Sequence, residues 1–243
     1  MYEYGQYCPV AKAVEILGDR WTLLIVRDLL MGTCHFNDLE RGLPGISRSL
    51  LAERLRRLQA MGVVEKVEQP EKRRNTAYHL TEAGRELEGV IEALLLWGAR
   101  WAFEEPRESD LDPLLLMWWM RNRVCVERLP AGRVVIRFDF RGAKVETYWL
   151  VLEREDVSVC LSDPGFDLNV LVTADLAAFF QIWAGRLSFA EAGEAGLVEV
   201  AAIPSLANAF PGWFAYSVAA PAVRAVGGGR GAGPASDSPA AGG

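Results

Sequence analysis

The first part of the chain carries apolar residues at helical spacing in three short segments. The pattern predicts helices over Cys8 to Leu17, Trp21 to Met31 and His35 to Gly42. The second segment is apolar almost all round, which is typical of a helix buried on most sides. A tight turn, Leu43-Pro44-Gly45, then leads into a fourth helical pattern.

The fourth segment, "PGISRSLLAERLRRLQAMG", has an apolar and a polar side when it is drawn at about 100° per residue. Its inward side is defined by Leu51, Leu55 and Leu58. The opposite side and its flanks carry Arg48, Ser49, Ala52, Glu53, Arg56 and Arg57. Ser47 is placed to cap the helix N-terminus. A tight turn before the last of these helices indicates a helix-turn-helix layout.

Two β-prone runs, "VVEKVEQ" and "TAYHLT", follow the fourth helix and flank the polar loop "PEKRRN". This arrangement predicts a two-stranded hairpin, or wing, with a basic tip. Thr81 is a good N-cap for one long helix after the hairpin. The apolar stripe of that helix comprises Ala83, Leu87, Val90, Ile91, Leu94, Trp97, Gly98 and Trp101. A helix this apolar is expected to pack on a second subunit or on the following domain.

The pattern changes class after an acidic, Pro-bounded segment at residues 104–113, which is predicted to be a linker. A tryptophan-rich helix, four alternating strands, a helix, a further strand around "GLVEVAA" and a last helix follow. This order indicates an α+β domain with a mainly antiparallel sheet. The predicted domains are therefore residues 1–103 and 114–224, with a disordered Gly-, Ala-, Ser- and Pro-rich tail over 225–243.

The net charge of −6 is unevenly distributed along the chain. Residues 1–103 hold 14 basic and 14 acidic residues, so all of the excess negative charge lies in the second half. Residues 41–80 hold nine basic and four acidic residues, the one basic patch in the sequence. A local excess of positive charge is the electrostatic signature of a nucleic-acid contact, which the average charge conceals.

Several classes of protein are disfavoured by composition. The four cysteines are widely separated and form no CxxC or Cys/His cluster, so neither a zinc site nor a disulfide framework is predicted, and no cofactor is expected. Cys34 beside His35 is weak support for a metal. No signal sequence is recognisable, and no apolar run reaches the ~20 residues of a membrane span, so a soluble cytoplasmic protein is expected.

The fourth helix has the chemistry to lie in a DNA major groove. Arginine there can read guanine bidentately, and serine can serve bases or phosphates. The residues expected to face DNA are Ser47, Arg48, Ser49 and Arg56 on the helix, and Lys72, Arg73 and Arg74 at the hairpin tip. Glu53 is expected to accept from a cytosine or to pair with Arg57 along the helix. The alternative, a merely solvated charged face, is disfavoured by the order of turn, capped helix and basic hairpin.

These motifs resemble the HxlR-type winged helix-turn-helix regulators of bacteria. The resemblance rests on "CPVAKAVEILGDRWTLLIVRDLLMG", "FNDLERGLPGISRSLLAERLRRLQAMGVVEK", "YHLTEAG" and "LLLWG". It implies a homodimer joined through the terminal helices, with residues 47–59 as the recognition helix and the hairpin as the wing. Arg20 stands where the family usually has lysine, and the wing "PEKRRNTAY" replaces the proline-rich turn of many members.

Cys8 precedes a proline at the start of the first helix and looks like the sensing cysteine of redox-responsive members of this family. A thiol at a helix N-terminus can have a depressed pKa and react as the thiolate. The alternative is a packing residue inherited from a dimer interface.

Residues 110–220 resemble the sterol-carrier-protein-like fold, through "YWLVLEREDVSVCLSDPGFDLNVLVTADLAAFFQIWAGRLSFAEA" followed by "GLVEV". That fold implies a sheet covered by helices around an apolar tunnel. Trp118, Trp149, Phe179 and Trp183 are therefore candidate residues of a ligand pocket. The alternative is that these aromatic side chains form an ordinary core.

The sequence thus predicts a dimeric, sequence-specific regulator that binds double-stranded DNA and whose second domain senses an apolar small molecule. A second hypothesis is a lipid-binding or carrier protein in which the winged helix serves dimerisation or protein contacts. An enzyme is disfavoured, because the residues show no carboxylate pair, Ser/His/Asp set or phosphate loop. No catalytic residue and no membrane partner is predicted.

Overall fold

Helices form at each position where the first hundred residues predict one. They are α1 (Pro9–Leu17), α2 (Thr22–Leu30), α3 (Phe36–Gly42) and α4 (Arg48–Ala60). The structure, a computed structural model, describes residues 3–68, 76–142 and 145–227. Cys8 is the N-cap of α1 and Pro9 its first residue, where a missing N–H has little cost. The predicted bounds of these helices are therefore correct to within one residue at most ends.

Helix α2 is largely buried, as its apolar sequence predicts. Thr22, Ile25, Val26, Asp28 and Leu29 are buried, and Leu24, at 40% exposure, is its one exposed residue. The core around α2 also contains Leu39, Leu43, Leu51, Leu55, Leu58, Val63, Val64 and Leu80.

The predicted hairpin is confirmed by β1 (Val64–Glu68) and β2 (Thr76–Leu80). The strands are antiparallel, with Val64 opposite Leu80 and Glu68 opposite Thr76. Its tip, with Lys72, Arg73 and Arg74, lies outside the described residues.

The helix predicted after Thr81 is divided in two, α5 (Glu82–Arg85) and α6 (Glu88–Trp101). Thr81 caps α5 as expected, since its Oγ1 accepts a hydrogen bond from the Gly84 N–H at 3.2 Å. Gly84 lies so close to the hairpin that a β-carbon there would be 2.2 Å from the Val63 carbonyl oxygen. The break therefore accompanies close packing of α5 on the start of β1, which helical periodicity does not reveal.

The second half of the chain forms a five-stranded sheet, as predicted. Its strands are β3 (Val134–Arg141), β4 (Glu146–Leu152), β5 (Val157–Cys160), β6 (Val170–Asp175) and β7 (Val198–Ala202). Their order is β5-β4-β3-β6-β7, and only β3 and β6 pair in parallel. The prediction of a mixed helix and sheet domain with a mainly antiparallel sheet is confirmed.

One face of this sheet is an aromatic core. Ile136, Phe138 and Phe140 alternate along β3 with Arg137 and Asp139, so the first three side chains share the buried face. The helices of this half are α7 (Pro113–Arg121), α8 (Leu176–Ala184), α9 (Phe189–Glu194), α10 (Pro204–Ala209) and α11 (Ala220–Gly227). Neither α9 nor α11 is predicted from the sequence pattern, and both are short.

The division of the chain into two units falls earlier than predicted. The first unit extends to Leu94 and includes Leu114–Trp119, while the second includes Leu95–Pro113 and the residues from Met120 onward. In the second unit, Leu95 and Ala99 pack on α11. The last turns of α6 and the segment predicted as a linker therefore belong to the sheet-containing unit. Residues 225–227 belong to α11 rather than to the predicted tail, whose remainder lies outside the described residues.

Candidate nucleic-acid interface

Helix α4 is anchored by its N-cap and by its leucines. The Ser47 Oγ accepts a hydrogen bond from the Leu50 N–H at 3.2 Å, which confirms the predicted cap. Leu51, Leu55 and Leu58 are at most 1% exposed in the core of the first unit. The opposite side of α4 therefore lies at the surface, as the spacing of its leucines predicts.

The polar residues predicted to face DNA lie on that surface. Ser47, Arg48, Ser49 and Arg56 are all exposed, and the Oγ atoms of Ser47 and Ser49 are 3.1 Å apart. Arg56 makes no hydrogen bond or ion pair with another of the described residues. Its guanidinium is available to an external anion, and arginine suits phosphate or guanine because it donates in a planar fork.

Arg48 is oriented by α3 rather than extended freely into solvent. Its guanidinium forms an ion pair with Glu40, donates to Asn37 Oδ1 at 3.2 Å and lies 4.9 Å from the Phe36 ring centroid. The side chain is still 64% exposed. Because Glu40 offsets part of its charge, Arg48 has a weaker attraction for an anion than Arg56. Glu40 and Asn37 lie on α3, eight and eleven residues before Arg48, and helical periodicity within α4 does not reveal such partners.

Glu53 pairs with its neighbour instead of with Arg57. Its Oε1 accepts from Arg54 Nη1 at 2.7 Å, while Arg57 binds Asp19 and the carbonyl oxygen of Glu15. The expected Glu53–Arg57 pair is therefore wrong, because Arg57 lies toward the α1–α2 turn. The basic residues of α4 thus divide into an outward pair, Arg48 and Arg56, and an inward pair, Arg54 and Arg57.

Asp28 is a buried carboxyl of α2. It is 7% exposed on α2 and accepts from Arg27 Nε at 2.8 Å. Burial raises the pKa of the Asp28 carboxyl, and the opposing effect of the Arg27 guanidinium is smaller. This buried acid supports the α2–α3 packing, since a β-carbon at Gly42 would lie 2.9 Å from its Oδ2 atom.

Neither Cys8 nor Cys34 belongs to a cluster of metal-ligating side chains among the described residues. Cys8 is half-buried as the N-cap of α1, and its side chain makes no capping hydrogen bond. Beside Cys34, the His35 ring uses Nδ1 in a hydrogen bond with the Thr76 carbonyl oxygen at 3.0 Å. Within the described ranges, no group of three His, Cys, Asp or Glu side chains is arranged to hold a metal ion.

The aromatic residues predicted to line a ligand pocket have different surroundings. Phe179 is 2% exposed, with its ring 5.8 Å from that of Phe138 and 5.5 Å from that of Phe140. Trp183 is 4% exposed and its ring centroid is 6.0 Å from that of Tyr216. Both side chains are therefore packed against other aromatic rings of the core.

Trp149 and Trp118 are placed apart from this core. Trp149 is opposite Arg137 in the sheet register, so alternation puts it on the face away from Phe179. Trp118 is grouped with the first unit, where the Arg41 guanidinium is 5.1 Å from its ring centroid. The prediction that Trp149 lines one pocket with Phe179 is wrong, because the two side chains lie on opposite faces of the sheet.

Comparison with known proteins follows the same division of the chain. A family model described as HxlR-like helix-turn-helix matches residues 16–106. An HTH-type transcriptional regulator of Synechocystis sp. is 34% identical over 110 residues, which are 45% of this chain and 82% of that protein. The HTH-type transcriptional regulator YvaP of Bacillus subtilis is 38% identical over 98 residues, covering 40% of this chain and 91% of YvaP. The chain belongs to the HxlR-like helix-turn-helix family.

Membership in the HxlR-like family assigns the general activity. These relatives are transcriptional regulators and not enzymes, so the chain is a DNA-binding transcriptional regulator. The reduced form of YodB from B. subtilis is a solved structure with 34% identity and a TM-score of 0.36, covering 40% of this chain and 96% of that one. The family match ends at residue 106, so the five-stranded sheet lies outside it. In the part of the chain that the structure describes, no helix is both long enough and apolar enough to cross a membrane.

Proposed function

We propose that this regulator is a homodimer that reads a specific DNA sequence through α4. Its exposed polar side carries the proposal, since Ser47, Arg48, Ser49 and Arg56 lie opposite three buried leucines. The N-terminal residues of such a helix reach base edges and phosphates when the helix lies in the major groove. Arg56 is expected to contribute more than Arg48, whose charge Glu40 partly offsets.

The hairpin tip extends the proposed contact. Lys72, Arg73 and Arg74 are proposed to neutralise phosphates beside the groove, because three consecutive cations suit backbone contacts better than base reading. Each phosphate contact releases counterions, so affinity should fall steeply as salt rises. The antiparallel register of β1 and β2 supports a hairpin that carries this tip.

An exposed apolar stripe on α6 supports the proposed dimer. Val90, Leu94, Trp97 and Trp101 lie within about 60° of one another around the helix, at 43%, 46%, 61% and 69% exposure. Tryptophan is enriched at the centres of protein interfaces, where it buries a large area. A second copy of the chain is the proposed occupant, and a two-fold axis would place the two α4 helices on half-sites about 34 Å apart.

The second unit is proposed to be the regulatory part, in the manner of a sterol-carrier-like domain that responds to an apolar molecule. A sheet with one apolar face and helices packed on it supports this assignment. The rings of Phe138, Phe140 and Phe179 fill that face, so ligand entry would require core side chains to move. A ligand can act on DNA binding only by favouring one conformation over another.

Oxidation of Cys8 is a second proposed input. Cys8 is only half-buried at the start of α1, which leaves a route for an oxidant. Loss of DNA binding on oxidation, and its retention in Cys8→Ser, would support this input. Retention of DNA binding by the oxidised wild type would contradict it.

Selection of bound genomic fragments tests the proposed reading of DNA. The wild type is expected to enrich a two-fold related site, and Arg56→Ala to lose about 1–3 kcal/mol of specific binding energy. Arg154→Ala is the matched control, because Arg154 is an exposed arginine of the second unit. Equal enrichment of all fragments by the wild type would contradict sequence-specific binding.

Repeating the selection with an apolar lipid extract tests the proposed effector.

A further inference from the structure

We propose that the turn between α1 and α2, residues 18–21, positions the recognition helix, and that Arg54 and Arg57 are positioning residues instead of DNA ligands. This inference rests on the proposed function, since it concerns the orientation of α4 on DNA. It goes further because it divides the four arginines between residues 48 and 57 into two roles.

Arg57 joins α4 to both α1 and the turn. Its Nη1 donates to Asp19 Oδ2 and its Nη2 donates to the Glu15 carbonyl oxygen in the last turns of α1. The side chains of Arg57 and Asp19 are each 26% exposed. A charge held this way by a carboxylate and a carbonyl is directed into the protein and has little capacity left for a phosphate.

Arg54 makes a second connection one helical turn earlier. Its Nε donates to the Arg20 carbonyl oxygen at 3.2 Å, and its Nη1 lies 3.8 Å from Asp19 Oδ2. The Arg54 side chain is only 14% exposed, compared with 64% for Arg48. The two inward arginines therefore hold consecutive residues of the turn, Asp19 by its carboxylate and Arg20 by its carbonyl group.

The end of the turn also approaches the start of α4. Trp21 has a φ of 80°, a left-handed conformation that is unusual and strained for a bulky residue. A β-carbon at Gly45 would lie 3.9 Å from the Trp21 ring. A strained residue persists where its surroundings hold it, and the Trp21 ring packs on the core of the first unit, beside the segment that precedes the recognition helix.

These contacts restrain α4 at two places. Trp21 lies beside the turn that precedes the helix, while Arg54 and Arg57 hold its second half. A helix restrained at its start and along its length cannot rotate about its axis without breaking a charge-assisted hydrogen bond. Base contacts depend on the positions of short side chains, so a small rotation of α4 should reduce specific binding while leaving non-specific binding intact.

The test compares Arg57→Lys, Asp19→Asn and the double variant with Arg56→Ala, using full-length protein and DNA carrying the selected site. Arg57→Lys keeps the positive charge but cannot form the two-point contact. We expect it to lower the ratio of specific to non-specific affinity roughly five- to a hundredfold, comparable to one mismatched base pair. Asp19→Asn should produce a similar loss, and the double variant less than the product of the two. The slope of log affinity against log salt concentration should stay unchanged for Arg57→Lys, Asp19→Asn and the double variant. For Arg56→Ala the magnitude of this slope should decrease by about 0.9.

Each alternative outcome can be distinguished. If Arg57 contacts DNA, Arg57→Lys should retain most of the affinity and Asp19→Asn should have no effect, which would overturn the inference. If the contacts serve stability alone, both variants should unfold at lower temperature and yet keep the specificity ratio when measured well below that temperature. That result would also overturn it. A wild type without sequence preference would instead contradict the proposed function.

Discussion

Aromatic side chains are used in opposite ways in two regions of this protein. Beside the five-stranded sheet, Phe138, Phe140, Phe179 and Phe210 are at most 2% exposed and their rings contact one another. On α6, Trp97 and Trp101 are more than 60% exposed. A closed aromatic cluster stabilises the fold. An aromatic stripe exposed to water is unfavourable in free energy and is typical of a surface that binds a partner. Aromatic content alone therefore does not identify a binding site.

Polar burial distinguishes the two units of the chain. Among the described residues, the buried polar or charged side chains are Thr22, Asp28 and Asp38, and all three belong to the first unit. The sheet-containing unit has an apolar buried face, so its stability should depend little on the titration of core groups. The first unit carries an acid whose pKa burial has raised.

Removing a ring from the closed cluster should have the largest effect on stability. Phe179→Ala is expected to lower the free energy of unfolding by about 3–5 kcal/mol, because it leaves a cavity among packed rings. Denaturant unfolding of the full chain measures this loss. Trp149→Ala, on the other face of the sheet, is the control, with an expected loss of about 1–2 kcal/mol. Equal losses for the two variants would contradict the assignment of Phe179 to a filled core.

A charge in the exposed stripe should separate the proposed dimer with little effect on the fold of each subunit. Trp97→Glu is expected to weaken association by about 2 kcal/mol or more, the effect of losing an interface hot spot. Sedimentation velocity over a range of concentrations measures the change. The matched control is Leu96→Glu, since Leu96 is 58% exposed on the same helix but lies about 130° from the centre of the stripe. Dissociation by the control, or a monomeric wild type, would contradict the proposed interface.

The smallest expected effect concerns the buried acid of the first unit. Because the pKa of Asp28 is raised in the folded state, the protonated form favours folding. Unfolding free energy should therefore decline, relative to Asp28→Asn, as pH rises from about 3.9 through the folded-state value. Urea unfolding at a series of pH values measures the difference between the two proteins. The matching substitution of the exposed Asp167 is the control, and a difference that shrinks with rising pH would contradict this account.

The local structure of the first unit was predictable because its signals are short in range. Pro9, Ser47 and Thr81 mark helix starts by chemistry that acts within one turn. The leucine spacing of α4 then sets which side is buried. The break between α5 and α6 was not predictable, since it accompanies the contact of Gly84 with the Val63 carbonyl oxygen, which only the folded hairpin creates.

By itself, the sequence determined the helix-turn-helix order, the hairpin, the sheet class and the family of this protein. Those properties follow from hydrophobic period, capping and motif spacing, which are encoded within a few residues of one another. Tertiary structure alone decided which arginines of α4 face outward and which hold the α1–α2 turn, and on which side of the sheet Trp149 lies. These outcomes depend on the partners that distant segments bring to each side chain, such as Asp19 for Arg57 and Glu40 for Arg48.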